Sequence, residues 1–148
     1  MEIEKAHFVR RADWGTDRAA LRAVRDLVFV EEQGVPPELE HDDEDATAFH
    51  VLAEDREGTP IGTGRLLITG QIGRMAVIPR WRNRGVGRTL LSALLAEAGA
   101  RGLSPFLNAQ LTAIEFYATF GFVATGPEFM EAGIRHRRME RQDTPAGG

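Results

Sequence analysis

The sequence predicts an α/β fold: one domain with a mixed, mostly antiparallel sheet, a single parallel strand pair and helices on both faces. Three observations predict it. Short apolar or β-branched runs recur between two longer stretches of helical periodicity. Only the strands flanking the second of those stretches are joined by a crossover long enough to make them parallel neighbours. And 148 residues at 43% hydrophobic composition are enough to bury one core. The domain is expected over residues 1–141, with the polar, glycine-ended residues 142–148 disordered.

Taken in order, Lys5 to Ala12 alternates around Phe8 and reads as a first strand. After Trp14 and Gly15, Thr16 or Asp17 can cap a helix carrying Leu21, Val24, Leu27 and Val28 on one face, ending near Gln33 and Gly34. Two prolines and six acids between Glu38 and Asp45 make the next stretch an acidic loop. Phe49 to Glu54 is a strand, Asp55 to Thr59 a tight turn, and Ile61 to Ile68 a strand lightened by Gly62 and Gly64. Ile72 to Ile78 is β-branched and apolar, and Pro79 ends it. Beyond Gly85 and Gly87, the residues Val86, Leu90, Leu91, Leu94, Leu95 and Ala98 share one face of a helix that Gly99 and Gly102 terminate. Pro105 to Asn108 fits another strand, Thr112 to Thr119 a short helix, and Phe122 to Thr125 with Ile134 to Glu140 two antiparallel strands joined through residues 126–133.

Composition narrows the chemistry. The chain has no cysteine, which removes disulfides, thiolate nucleophiles and cysteine-based zinc sites; no metal is expected. A net charge of −4 argues against general nucleic-acid binding, because that mode needs a basic surface. No apolar run approaches a membrane span and the start lacks a signal-peptide pattern, so a cytoplasmic protein is expected. Positive charge is local instead: Arg80, Arg82, Arg84 and Arg88 crowd one loop, and no Asp or Glu occurs from Gly58 to Ala96. A glycine loop opening a helix presents unpaired N–H groups at the positive end of the helix dipole, a site for an anion. It lies at the carboxyl end of a strand, where ligands of α/β sheets bind.

Three glycine loops compete for this pattern. A Walker loop needs Gly where Arg82 stands and Lys where Arg88 stands. A dinucleotide fingerprint starting at Gly85 needs a small residue at Leu90 and an acid about twenty residues on, and has neither. The third, Arg82-x-x-Gly85-x-Gly87 after a strand and before a helix, resembles the pyrophosphate loop of the GNAT-type N-acetyltransferases. A second block, LNAQLTAIEFYATFGFVATG, resembles that family's strand–helix–strand over the acetyl-CoA arm. Within the family the chain resembles the ElaA-like branch in FVEEQGVPPELEHDDED, RMAVIPRWRNRGVGRTLL and EFMEAGIRHRRM. The resemblance runs from the first strand to Glu140 and implies the GNAT fold, with its parallel strand pair splayed apart.

The resemblance also implies site residues. Met75, Ala76 and Val77, with Asn108 across the V, would pair with pantetheine of acetyl-CoA, used as co-substrate. Arg82, Asn83, Arg84 and Gly85, then Val86, Gly87 and Arg88, would hold its pyrophosphate, chiefly through backbone amides. Tyr117, the one tyrosine, sits where the family places the hydroxyl that serves the departing thiolate; the alternative is a core aromatic beside Phe116, Phe120 and Phe122.

A strand-borne glutamate, the base in several members, is missing here, since Met75, Ala76 and Val77 stand in its place. Glu38, Glu40, His41 and His136 are the candidates for a base or acceptor site, with a water chain to bulk solvent as the alternative base, and His50 is expected to be structural. The acidic loop is either a solvated face or a surface that steers a cationic amine. The expected reaction is direct transfer of an acetyl group to a primary amine, on a small molecule or a peptide, without membrane or nucleic-acid partners. The resemblance allows a homodimer through the C-terminal strands. Two other classes stay open: a non-catalytic acyl-CoA-binding or regulatory module, and an interaction protein using the acidic loop.

Overall fold

A computed structural model describes residues 6–141. Lys5 of the expected first strand and the expected tail 142–148 lie outside the described residues. Among the described residues, seven strands form one sheet in the order β1-β2-β3-β4-β5-β7-β6. They are β1 (His7–Ala12), β2 (Phe49–Asp55), β3 (Pro60–Leu66), β4 (Gln71–Val77), β5 (Phe106–Gln110), β6 (Phe122–Glu131) and β7 (Ile134–Arg141). Four α-helices join them: α1 (Trp14–Arg25), α2 (Pro37–Glu40), α3 (Val86–Ala100) and α4 (Ile114–Ala118). Every ladder is antiparallel except β4 with β5.

The parallel pair is short, and this shapes the molecule. Only Gln71 opposite Phe106 and Ile72 opposite Leu107 are paired. Beyond them β4 stays with β3, through Thr63 opposite Ala76 and Gly62 opposite Val77, while β5 stays with β7, through Asn108 opposite Arg138 and Gln110 opposite His136. The facing edges of Met75–Val77 and Asn108–Gln110 therefore diverge. A bulge marks where β4 turns away: the β3–β4 register shifts, and Arg74 takes a left-handed φ of 51°. An extra residue in one strand bends it and raises its twist.

Helix α3 covers the centre of the sheet. Val86, Leu90, Leu91, Leu94 and Ala98 are its buried residues, as the spacing predicts. It can lie this close because β3 carries glycine. A Cβ at Gly62 would meet Leu90 Cδ1 at 2.9 Å, and one at Gly64 would meet Leu94 Cδ1 at 2.8 Å.

Several elements differ from the sequence expectation. The cap of α1 is Asp13, whose carboxylate accepts from the Thr16 amide at 3.1 Å, while Asp17 reaches back to the Asp13 amide at 2.8 Å. From Asp26 to Glu32 the same helix widens into a π-helix, with the Gln33 N–H donating to the Val28 carbonyl. The extra residue per turn rotates the face, so Leu27 is 41% exposed and Phe29 packs on the core instead. The acidic stretch is structured: α2 starts at Pro37, where a helix tolerates proline, and a 3-10 turn covers Asp43–Ala46. Strand β6 runs through residues 126–131 by means of a bulge between Thr125 and Phe129, leaving Ala132 and Gly133 as a two-residue turn with both φ positive.

Candidate active site

Two clefts meet on the open side of the V. A basic groove of about 780 Å³ runs along the unpaired edge of β4 to the loop before α3, past Met75, Ala76, Val77, Trp81, Arg82 and Asn83 to Gly85, Gly87 and Arg88. A polar cavity of about 630 Å³ lies on the other side, against α2, β5 and the β6–β7 turn. Gln33, Met75, Ala113 and Tyr117 line both.

At the loop, Asn83 and Gly85 both take positive φ, of 62° and 84°, and turn the backbone into α3. Helix α3 then starts with no side-chain cap and no acid in its first turn. A first turn normally attracts acids and repels bases, so Arg84 and Arg88 beside it mark a place where negative charge comes from a ligand. Arg84 lies over the Trp81 ring at 5.0 Å and Arg88 over the Phe120 ring at 4.6 Å, and neither has an acidic partner among the described residues. Gly87 keeps room at the groove: a Cβ there would lie 3.4 Å from the Phe116 ring. These features suit an anion at the loop and leave room for an extended ligand along the β4 edge.

Arg82 is placed otherwise. Its terminal nitrogens donate to Glu32 at 2.7 and 2.6 Å and its Nε to the Val77 carbonyl at 2.9 Å, so its side chain braces the loop. Val86 turns its side chain into the core, at 1% exposure. Asn108 lines the polar cavity rather than the basic groove.

Tyr117 sits at the junction. Its ring packs edge-on against Phe116 and Phe122, with centroids 5.1 and 6.1 Å away. Its hydroxyl has no hydrogen-bond partner among the described residues, and burial pushes its ionisation above the ordinary phenol range. Such a group stays a proton donor. Beside it the side-chain amides of Gln33 and Gln110 bond each other reciprocally, at 3.3 and 2.9 Å, and tie the end of the π-helix to the tip of β5.

Three of the six acids, Glu40, Asp42 and Asp45, are bound by arginines, while Glu38, Asp43 and Glu44 stay exposed. Arg25, 1% exposed, donates to Glu40 and to Asp45; Arg65 donates to Asp45 and to Asp42; Arg74 donates to Asp42 and to both the carbonyl and the carboxylate of Glu40. Three arginines and three acids thus pair within one network that pins the loop to β3 and β4. Hydrogen bonds from Arg65 hold Asp42 down to about 2. Burial opposes ionisation of Asp45, yet the bonds from Arg25 and Arg65 outweigh it and keep that carboxyl below its usual range.

The candidate bases separate accordingly. Glu40 is already engaged by Arg25 and Arg74. Glu38 is exposed and lines neither cleft. His41 faces Asp26 at 3.4 Å, also outside both clefts. Asp26, Glu40 and His41 come close enough to share a cation, but the Arg25 bond already occupies Glu40. His50 accepts its structural expectation: it is 2% exposed, bonds the Asp45 carbonyl at 2.8 Å, and burial lowers its pKa. His136 lines the polar cavity.

Sequence reasoning missed Gln33, Gln110, Glu131 and Arg74 as cavity residues. Arg65 and Arg74 carried a signal, since single arginines inside apolar strands demand buried acids, and the acidic stretch supplies them.

Known proteins share this arrangement. The model of the acetyltransferase (GNAT) domain matches residues 22–142. The uncharacterized N-acetyltransferase YjcF of Bacillus subtilis strain 168 is 40% identical over 121 residues, 78% of this chain and 86% of the relative. A crystal structure of an acyl-CoA N-acyltransferase from Pseudomonas aeruginosa superposes with a TM-score of 0.82 at 28% identity, over 93% of this chain and 100% of that one. Escherichia coli ElaA gives 0.81 at 26%, over 92% and 99%. Among the described residues no helix is long and apolar enough to cross a membrane. With the splayed strand pair, the uncapped glycine turn and the matched domain in agreement, the chain belongs to the GNAT acetyltransferase family.

Proposed function

We propose that this chain, as one domain over residues 1–141, is an acetyl-CoA-dependent N-acetyltransferase that moves the acetyl group directly to a primary amine of a small molecule or a peptide. The observation that carries the reading is the position of Tyr117, where a groove suited to CoA meets a polar cavity suited to an acceptor. The open edges of β4 and β5 offer backbone partners to the two amides of pantetheine. The amides of Val86, Gly87 and Arg88 are free for pyrophosphate, and Arg84 and Arg88 add unpaired positive charge. The buried Tyr117 hydroxyl can give its proton to the departing thiolate. With no cysteine in the chain there is no thiol to form an acyl-enzyme, which favours direct attack by the amine.

The cavity suits a cationic acceptor. Arg65 and Arg74 are neutralised by Glu40, Asp42 and Asp45, whereas Glu44 and Glu131 line it with no arginine partner among the described residues. The test is to measure acetyl-CoA affinity and amine-dependent thiol release for the wild type and for the double variant Arg84→Glu, Arg88→Glu. The expected result is saturable thiol release by the wild type and loss of binding in the variant. Retained binding overturns the loop assignment, and binding without amine-dependent release makes the protein a non-catalytic acyl-CoA module.

A further inference from the structure

We propose that His136 is the base that deprotonates the acceptor, with Glu131 steadying the imidazolium; the inference rests on the amine-transfer reading above. The His136 Nδ1 lies 2.7 Å from the Ile134 carbonyl oxygen. A carbonyl only accepts, so Nδ1 carries the hydrogen, and the neutral ring has its lone pair on Nε2. The ring is held in place by stacking on Phe129, with centroids 5.8 Å apart, and by its position opposite Gln110 in the β5–β7 ladder. It lines the same cavity as Tyr117.

Around Nε2 the arrangement suits a proton acceptor. Glu131 Oε2 is 3.7 Å away; the neutral ring has no hydrogen on Nε2 to offer it, whereas the protonated ring has one, and the carboxylate attracts the ring once it is charged. Among the described residues no arginine competes for Glu131. The tight turn through Ala132 and Gly133 brings this carboxylate back over the start of β7. The other carboxylates of the cavity are less able: Glu40 and Asp42 are bonded by arginines, and Glu44 is exposed on the loop.

A primary amine arrives as an ammonium at neutral pH and has no lone pair with which to attack. His136 Nε2 takes one proton from it. The nitrogen then bonds the thioester carbonyl carbon, and the carbon–sulfur bond breaks. The Tyr117 hydroxyl gives sulfur its proton and is refilled by the second proton that nitrogen sheds. The products are an amide and the CoA thiol, and the proton on His136 leaves to solvent past Glu131, so one proton is released per turnover.

The test compares two amines of like size with acetyl-CoA and the full chain: ethylamine, an ammonium at neutral pH, and 2,2,2-trifluoroethylamine, already neutral there. His136→Asn keeps a donor for the Ile134 carbonyl. It is expected to lower kcat/KM about 10²-fold for ethylamine and less than about 3-fold for trifluoroethylamine, as loss of a general base should. Added imidazole restores ethylamine turnover, and acetyl-CoA affinity is unchanged. Should that variant not fold, Glu131→Gln, on an exposed residue, must still slow ethylamine selectively. Equal losses for the two amines, or an unaltered ethylamine rate in Glu131→Gln, overturn the proposal. A wild type that binds acetyl-CoA but acetylates neither amine overturns the parent reading and this one with it.

Discussion

Glu32 grips Arg82 through both terminal guanidinium nitrogens, at 2.7 and 2.6 Å, across 50 positions of sequence. The same arginine holds the Val77 carbonyl, so the pair links the end of the π-helix to the β4 edge and to the turn into α3. Both side chains are well exposed, at 38% and 40%, and such pairs add only about 0–1 kcal/mol to stability. Glu32→Ala should therefore barely change the melting temperature, yet loosen the groove and weaken acetyl-CoA binding by about 5-fold, or ~1 kcal/mol. Calorimetric titration beside thermal melts checks both.

Tyr117→Phe keeps the ring contacts with Phe116 and Phe122 and removes only the hydroxyl. Turnover should fall about 10²-fold while acetyl-CoA affinity stays the same, the pattern of a lost proton donor. Because burial raises the phenol's ionisation, the wild type should lose no activity to tyrosine ionisation up to about pH 10, where a free phenol is half ionised. Stopped assays over an alkaline pH series, with the variant alongside, decide this.

Asp45 joins Arg25 to Arg65, and its side chain is only 3% exposed. Asp45→Asn leaves two arginines short of charge and should cost about 3–5 kcal/mol, whereas Asp43→Asn, on an exposed neighbour, should stay within about 0.5 kcal/mol. Urea titrations at neutral pH compare them.

The same network sets an acid limit. Asp42 and Asp45 both have folded pKa values depressed below their unfolded ones, so their stabilisation is fully present above the unfolded value and is lost as pH falls through the folded one. Urea midpoints should be flat near neutrality and drop between about pH 5 and about pH 2, with Asp42→Asn shrinking the drop.

Gly62→Ala tests the seat of α3. The added methyl would meet Leu90 Cδ1 at 2.9 Å, Val86 Cγ1 at 3.1 Å and the Ala76 carbonyl oxygen at 3.2 Å. Overpacking of this kind costs about 1–3 kcal/mol, and because Val86 opens α3 the strain should also weaken acetyl-CoA binding. Ala at Gly73, where no atom lies within 4 Å, serves as the control.

Local pattern made most of this fold legible. The apolar face of α3 and the parallel β4–β5 pair follow from spacing and crossover length, and the glycine loop follows from the residues around Gly85 and Gly87. What could not be read were facts that depend on distant partners. Glu40, Asp42 and Asp45 look like part of a solvated run until Arg25, Arg65 and Arg74 are brought against them, from 15 to 34 positions away. The part of β6 beyond Thr125 looked like a loop because Gly126 and Pro127 interrupt its alternation, and only the ladder with β7 restores it. In the site, the motif pointed to Tyr117 and the loop amides as expected site residues, while Gln33, Gln110 and Glu131 have no local signature and become visible only where the chain ends of several elements converge.

The π-helical turn from Asp26 to Glu32 has a consequence for which lengths of chain this fold tolerates. Seven residues at the wider π pitch turn about as far as six at the α-helical ~100° per residue, so deleting one there relaxes the turn to α geometry and keeps Glu32 and Gln33 at the cleft, whereas deleting a second swings both away together. The bonds to Arg82 and to Gln110 would be lost in one step, although neither side chain had been altered. The turn thus carries one residue in reserve, and a loss beyond it reaches the site through the helix alone.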